Sequence, residues 1–369
     1  MMNRNPSEPS SPDVPERQRR RQERAYRARR VLLIIFGLAL VLVLAVPAFG
    51  YYVVFVQPKQ EVVIRVNDAE FTMNTLIKMA RRTILQGMAV GQYDPQVTTE
   101  LIIGAIGEIQ HDEILRQAAP RLGITVTEEE IQWELQGMLD RPYSVELTGE
   151  SRTDRTFTEL YRQRLNILQM SDEEYRDVVR ADIIRSKLEE QLSVEMPTGD
   201  EQVHVFVIET EDVETMSEVQ NRLRAGQDFV SLANQFSTHR FTNKTGGDWG
   251  WFPRGVEEDF EDVWFSLQPG EISEVVQTLD AVYLFQIVDY QVYREISEGH
   301  IRRLKIRLVQ DWLTEQRKLN DLFQAWNQAR YRYVLDELRN DPLLSSQREQ
   351  LEQQGANSSR SAGVVQSVG

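Results

Sequence analysis

Leu223-Arg224-Ala225-Gly226-Gln227-Asp228-Phe229-Val230-Ser231-Leu232-Ala233, then Gly246-Gly247-Asp248-Trp249-Gly250-Trp251-Phe252-Pro253-Arg254-Gly255, then Phe265-Ser266-Leu267-Gln268-Pro269-Gly270-Glu271-Ile272-Ser273: these three blocks, in this order, decide the fold. The pattern around them predicts a strand over 202–209, helices over 213–225 and 229–236, and a loop over 237–248. Strands follow over 275–278 and 282–288, where apolar residues run between Gly and Asp punctuation. The expectation is a small antiparallel sheet with surrounding helices, so the chain is α+β.

Helical sequence lies on both sides of this module. Upstream, Val62-Val63-Ile64-Arg65-Val66 reads as a strand and Asn67-Asp68 as a turn. Thr72 caps a helix to about residue 91. A helix over 98–120 shows Leu101, Ile102, Ala105, Ile109 and Ile114 on one face. Thr127 with Glu130 and Ser171 with Glu174 are capping boxes for two further helices, and another spans 157–168. Residues 141–155 form a loop, and Pro197 and Gly199 separate this region from the module. Downstream, Ile301, Leu304, Leu308, Trp312, Leu319, Phe323 and Trp326 recur at helical spacing, predicting one long helix over 299–338. The polar tail 340–369 is expected to be disordered.

The first 56 residues are of another kind. Residues 1–30 are a disordered basic segment with nine Arg against four acids, eight of the Arg falling in 17–30. Residues 31–56 are almost wholly apolar. As a helix they span about 39 Å, against about 30 Å of hydrocarbon. The run is too long for a cleaved signal, and its exit, with Tyr51 and Tyr52, suits an interfacial belt. The Arg block predicts a single-pass cell-membrane protein with a cytoplasmic N-terminus and an extracytoplasmic bulk. The net charge is −15, and everything after residue 30 carries 33 bases against 53 acids. That acidity argues against nucleic-acid binding, which rests on neutralising phosphates. With no Cys there are no disulfides or thiolate sites. Motifs for nucleotide binding, serine hydrolysis and zinc proteolysis are absent too, and the four His are scattered.

The three blocks resemble the parvulin family of peptidyl-prolyl cis-trans isomerases over roughly residues 200–290. The preceding region, with its capped helices and Leu122-Gly123-Ile124-Thr125-Val126-Thr127-Glu128-Glu129-Glu130, resembles the N-terminal chaperone region of SurA- and PrsA-type foldases. These resemblances imply a helical chaperone region over 57–198, a parvulin-like domain over 199–292, and a C-terminal helix that packs back on the chaperone region. Parvulins hold the proline ring in an apolar pocket beside a polar cluster of two His and an Asp or Cys, without metal or cofactor. The resemblance puts Trp249, Phe252, Phe260 and Thr278 at substrate-binding positions, although the aromatics also read as plain core. One residue is missing between Gly255 and Phe260, which leaves the family's Met without an equivalent.

The polar cluster departs from the family. Counting back from Gly226, the first family His falls on Val207; in the loop the Asp or Cys position falls on His239, and on the last strand the second His falls on Tyr283. His204 lies an odd number of residues from Val207, so on a strand the two face opposite ways. It enters the cluster only if the following turn is lengthened. The candidates for catalysis are therefore His239, Tyr283 and His204. The implied function is an extracytoplasmic folding factor acting on unfolded or exported polypeptides. The alternative is a catalytically weak or inactive holdase that grips extended or Pro-containing segments, and a third reading is a scaffold on the secretion machinery.

Overall fold

The computed structural model describes Phe36 and residues 41–89, 98–140, 157–346 and 349. The predicted disordered segment 1–30, the start of the apolar run, the loop 141–155 and most of the polar tail lie outside the described residues. Helix α1 (Val41–Gln60) has a mean hydropathy of 1.8 over its most apolar stretch, none of which is buried. Twenty residues rise about 30 Å, so it is long and apolar enough to cross a membrane. It continues past Val56, ending in a π turn (Tyr52–Val56) and a 3-10 turn led by Pro58.

A helical body follows: β1 (Val62–Val66), β2 (Ala69–Thr72), α2 (Met73–Ala89), α3 (Thr98–Ala118), α4 (Glu128–Asp140), α5 (Phe157–Leu168) and α6 (Asp172–Leu192). Both capping boxes form. Thr127 and Glu130 exchange backbone bonds at the start of α4, and Ser171 and Glu174 do so at α6. Each box satisfies two of the N–H groups that a helix start leaves without partners. The predicted face of α3 is inward, with Ile102, Ala105, Ile109 and Ile114 all buried.

Next come β3 (Gly199–Thr210), α7 (Val213–Arg224), α8 (Phe229–Phe236), β4 (Asp248–Pro253), α9 (Glu258–Trp264), β5 (Val276–Gln277) and β6 (Val282–Glu295). They build an antiparallel sheet in the order β4-β3-β6-β5. One face packs on α7 and α8 through Ile208, Leu284, Met216, Val219 and Leu232. The other packs on α9 through Val203, Val205, Val207, Phe285, Phe260 and Trp264. Strand alternation sends these sets to opposite sides.

The chain then returns to the helical body in α10 (Glu298–Leu319), β7 (Leu322–Gln324) and α11 (Gln328–Arg339). Strand β7 joins β1 and β2 in a second sheet, β2-β1-β7. Val309 and Leu313 of α10 are buried with Ile114, Ile184 and Leu188. Val334, Leu335 and Leu338 of α11 are buried with Leu76, Ile84 and Ile102. The module is thus inserted into a body made from both ends of the chain.

Two expectations fail here. The predicted helix over 299–338 is broken at Asn320-Asp321. Asn67, at φ 54°, donates to Asn320 Oδ1 at 2.7 Å and accepts from the Asp321 N–H at 2.9 Å, and its own N–H reaches Asp321 O at 2.8 Å. The helical periodicity therefore stops at residue 319. Leu319 and Phe323, expected on the apolar stripe, are exposed at 76% and 44%. Nor does the tail begin at residue 340. Asp341 is buried against Arg81, and Leu344 is wholly buried in the same core as α2 and α11. The ion pair and Leu344 hold what composition alone marks as polar tail.

Candidate functional site

The site is built where β3, β4, β6 and α9 meet the loop after α8. Two glycines position that loop. Gly246 and Gly247 have φ of 69° and 86°, and a Cβ on Gly247 would lie 2.6 Å from Val207 O. No other residue fits so close to β3 with that backbone. The Val207 N–H then donates to Gly247 O at 2.8 Å, and the Gly247 N–H to Thr242 O at 3.0 Å. The loop folds back so that His239, only 7% exposed, sits under the sheet edge.

Next to it Trp249 is the extra residue of a bulge. Val205 pairs with Gly250 and Phe206 with Asp248, so Trp249 has no partner on β3. The bulge turns Trp249 toward α9, whereas simple alternation would put it on the face of Trp251. The His239 ring meets Trp249 edge-on at 4.8 Å, and Trp249 meets Phe260 at 6.2 Å and Trp264 at 5.4 Å. Tyr283 lies 5.0 Å from Phe260 and stacks on Phe285 at 5.9 Å. His239, Trp249, Phe260 and Tyr283 form a continuous aromatic arc. Val207, fully buried opposite Phe285, lies beneath it.

Burial pulls the His239 imidazole below its usual range, with Glu209 and Glu257 opposing the shift. The ring is therefore neutral at neutral pH. Its Nδ1 is 2.8 Å from the Thr242 hydroxyl, and among the described residues its Nε2 has no hydrogen-bond partner. Burial, then Glu209 and Asp280, pushes the Tyr283 phenol up, so it remains a neutral donor. The arrangement offers an apolar wall and two neutral polar groups.

The other candidates sit elsewhere. His204 faces the opposite side of the sheet, where it stacks on Trp251 at 5.1 Å and bonds Asp248 at 2.8 Å. No lengthened turn brings it round, because Asp212 caps α7 directly after β3 ends at Thr210. Phe252 points into the core and is 4% exposed, packed on Trp264 and His300 at 5.1 Å each. Thr278 forms the turn into β6: its hydroxyl donates to Ala281 O and accepts from the Asp280 and Ala281 N–H groups. Val256, buried in the same cluster, occupies the shortened segment before Phe260.

Sequence reasoning overlooked Glu209. It lies two residues past Val207 on the same face and directly opposite Tyr283. Its N–H bonds Ser237 Oγ, and its carbonyl and carboxylate both accept from Thr238, which ties it to the His239 loop. Counting by two from Val207 finds it; a charged strand residue otherwise reads as solvent-facing.

Residues 209–289 match the PPIC-type PPIase domain, and residues 22–189 match the SurA-like N-terminal domain. The chain carries a PPIC-type PPIase domain behind a SurA-like N-terminal domain. Among its relatives is the foldase protein PrsA of Geobacillus kaustophilus, 26% identical over 203 residues, which cover 52% of this chain and 71% of that protein. Another is foldase protein PrsA 4 of Bacillus cereus, 23% identical over 274 residues, covering 67% of this chain and 91% of that one. Among solved structures, the peptidylprolyl isomerase PrsA of Bacillus anthracis aligns over 66% of this chain and 96% of its own, at 16% identity and a TM-score of 0.39. The PPIase domain match begins at Glu209, so both Val207 and His204 precede it.

Proposed function

We propose that this chain is a membrane-anchored extracytoplasmic foldase whose PPIase domain binds prolyl segments of exported polypeptides and isomerises them slowly. One observation carries the reading: the aromatic arc is complete, whereas the buried strand position beneath it is Val207. The barrier to rotation about a prolyl bond, about 18–20 kcal/mol for peptide bonds generally, comes from amide resonance. Burying the proline ring against Trp249 and Phe260 contributes about 1.5–3 kcal/mol, as for apolar side chains of that size. Planar and twisted amides gain that energy equally, so it yields affinity and not rate. Rate requires groups that prefer the twisted amide, and here only His239 and Tyr283 remain to supply them. Both are neutral, one offering a ring nitrogen and the other a hydroxyl.

The relatives named as foldases support the protein-folding role, and α1 with the Arg block supports the anchor. The experiment is refolding of a proline-limited protein with the detergent-solubilised chain, alongside titration of a labelled prolyl peptide. Peptide binding, weakened by Phe260→Ala, with slight acceleration of refolding is expected. Turnover at the level of parvulins with a full His cluster, or no peptide binding, overturns it.

A second reading, a holdase independent of proline, has its own support. The helical body holds a cleft of about 470 Å³ floored by Phe71, Met79, Ile109 and Met170 and rimmed by Lys78 and Glu174. Such an amphipathic cleft suits an extended segment. Suppression of client aggregation that survives Phe260→Ala separates this activity from the prolyl site.

A further inference from the structure

We infer that the prolyl site selects segments in which basic residues flank the proline, and that Glu209 is the group that selects them. The inference rests on the prolyl-site reading and adds the class of segment. Glu209 stands at the rim of the aromatic arc, opposite Tyr283 across the β3–β6 ladder and bonded to Thr238 beside His239. Among the described residues its carboxylate has no cationic partner. Among the described residues its carboxylate's only hydrogen bond is a long one of 3.4 Å from the Thr238 hydroxyl.

The field at the arc has one sign. Glu209 and Glu257 are the charges that act on His239, and Glu209 and Asp280 those that act on Tyr283. The nearby cations are occupied or turned out. Arg303 holds Glu257 at 2.7 Å, and Arg254 holds Glu201. Arg240 lies over the ring of Phe241, itself 77% exposed, and Lys244 is exposed farther along the loop.

His239 supplies the independent sign of a ligand. It is more than nine-tenths buried, its Nδ1 is taken by Thr242, and among the described residues its Nε2 has no partner. A peptide carbonyl beside the proline can accept from Nε2. Neighbouring Cα atoms are about 3.8 Å apart, so the long side chain of the next residue reaches the rim while the proline ring lies on the wall. A Lys or Arg there meets a partly exposed carboxylate without a cationic partner among the described residues. An Asp or Glu there meets only repulsion.

The test uses the full chain in detergent and four labelled peptides, with the proline flanked on both sides by Lys, Gln, Glu or Leu, read by fluorescence anisotropy. The Lys peptide is expected to bind about two- to fivefold more tightly than the Gln peptide, the scale of a solvent-accessible ion pair, and the Glu peptide most weakly. Raising salt from 0.05 to about 0.5 M should narrow the difference, as screening requires. Glu209→Gln should erase the preference of Lys over Gln, and Asp280→Asn should reduce it. The salt series needs no variant, so it stands if Glu209→Gln does not fold. Equal binding of the Lys, Gln and Glu peptides while the Leu peptide binds overturns the selection and leaves the prolyl site intact. A preference that persists in folded Glu209→Gln overturns the role of Glu209. If none of the four binds, the prolyl-site reading fails and takes this inference with it.

Discussion

Val207 bears most directly on rate. Its isopropyl group is wholly buried between β3 and β6 and has nothing to offer a rotating amide. Replacing it with His puts a larger, polar ring into a packed cluster, at a cost of about 1–3 kcal/mol. The double variant Val207→His/Tyr283→His should therefore melt earlier yet isomerise a prolyl peptide faster than the wild type. A folded double variant with no gain in rate shows that these two positions do not limit catalysis. His239 yields a second prediction, through pH. Its folded value lies below the usual one because of burial, so the folded state favours the neutral ring. Well above pH 6.5 both folded and unfolded forms are neutral, and the group contributes no pH dependence. Below that the unfolded chain takes up the proton first, so this site loses stability as pH falls. The loss of thermal stability on acidification below about pH 6.5 should be smaller in His239→Gln than in the wild type. An equal loss in both rules this out. Much of the site was legible, because Trp249, Phe260, His239 and Tyr283 follow from motif spacing. The orientation of Trp249 was not, because one bulged residue reverses alternation without leaving a mark in composition. Phe252 shares its motif and is core.

At the level of elements, the helices follow from their own ends. Capping boxes at Thr127 and Ser171 place α4 and α6 because the side chains that close them are local. Strand β7 and the buried segment after α11 were hidden because their partners are distant in sequence. Asn320 and Asp321 bond Asn67, and Asp341 pairs with Arg81 of α2. That last pair is 5% and 3% exposed, so neither charge reaches much water. Breaking a buried pair leaves the other charge uncompensated, which typically costs about 3–5 kcal/mol, although an apolar replacement of both partners is often neutral. Asp341→Ala should lower the unfolding free energy of the helical body, read from urea titration, by that much, and Arg81→Met/Asp341→Leu should recover most of it. A single variant as stable as the wild type would show that residue 341 is solvated and the tail begins where composition puts it.

In the whole molecule, the PPIase domain interrupts a body whose two halves are far apart in sequence. Its entry and exit are adjacent: Gly199 pairs with Glu295, and the Ile296 N–H donates to Thr198 O at 2.9 Å. The ends of α6 and α10 are therefore held together by the backbone at the base of the module. The body also supplies contacts across the junction. Leu304 packs on the core around Phe252 and Val256, and Arg303 bonds Val256 O and Glu257. These are few beside the cores shared by α2, α3, α6, α10 and α11. Excising residues 199–295 and closing the gap with a short Gly-Ser turn should leave a folded body, because the entropy of closing so short a loop is small. The excised chain should keep its helical circular dichroism, melt cooperatively, lose prolyl-peptide binding and still suppress client aggregation through the helical cleft. Removing residues 298–346 instead takes away β7, α10 and α11, which bury Val309, Leu313, Val334, Leu335 and Leu338 in the shared cores. That truncation should unfold residues 62–192 while the PPIase domain keeps its own sheet. If the truncated body melts like the full chain, or the excised one is unfolded, the body is not a single unit built from both ends of the chain.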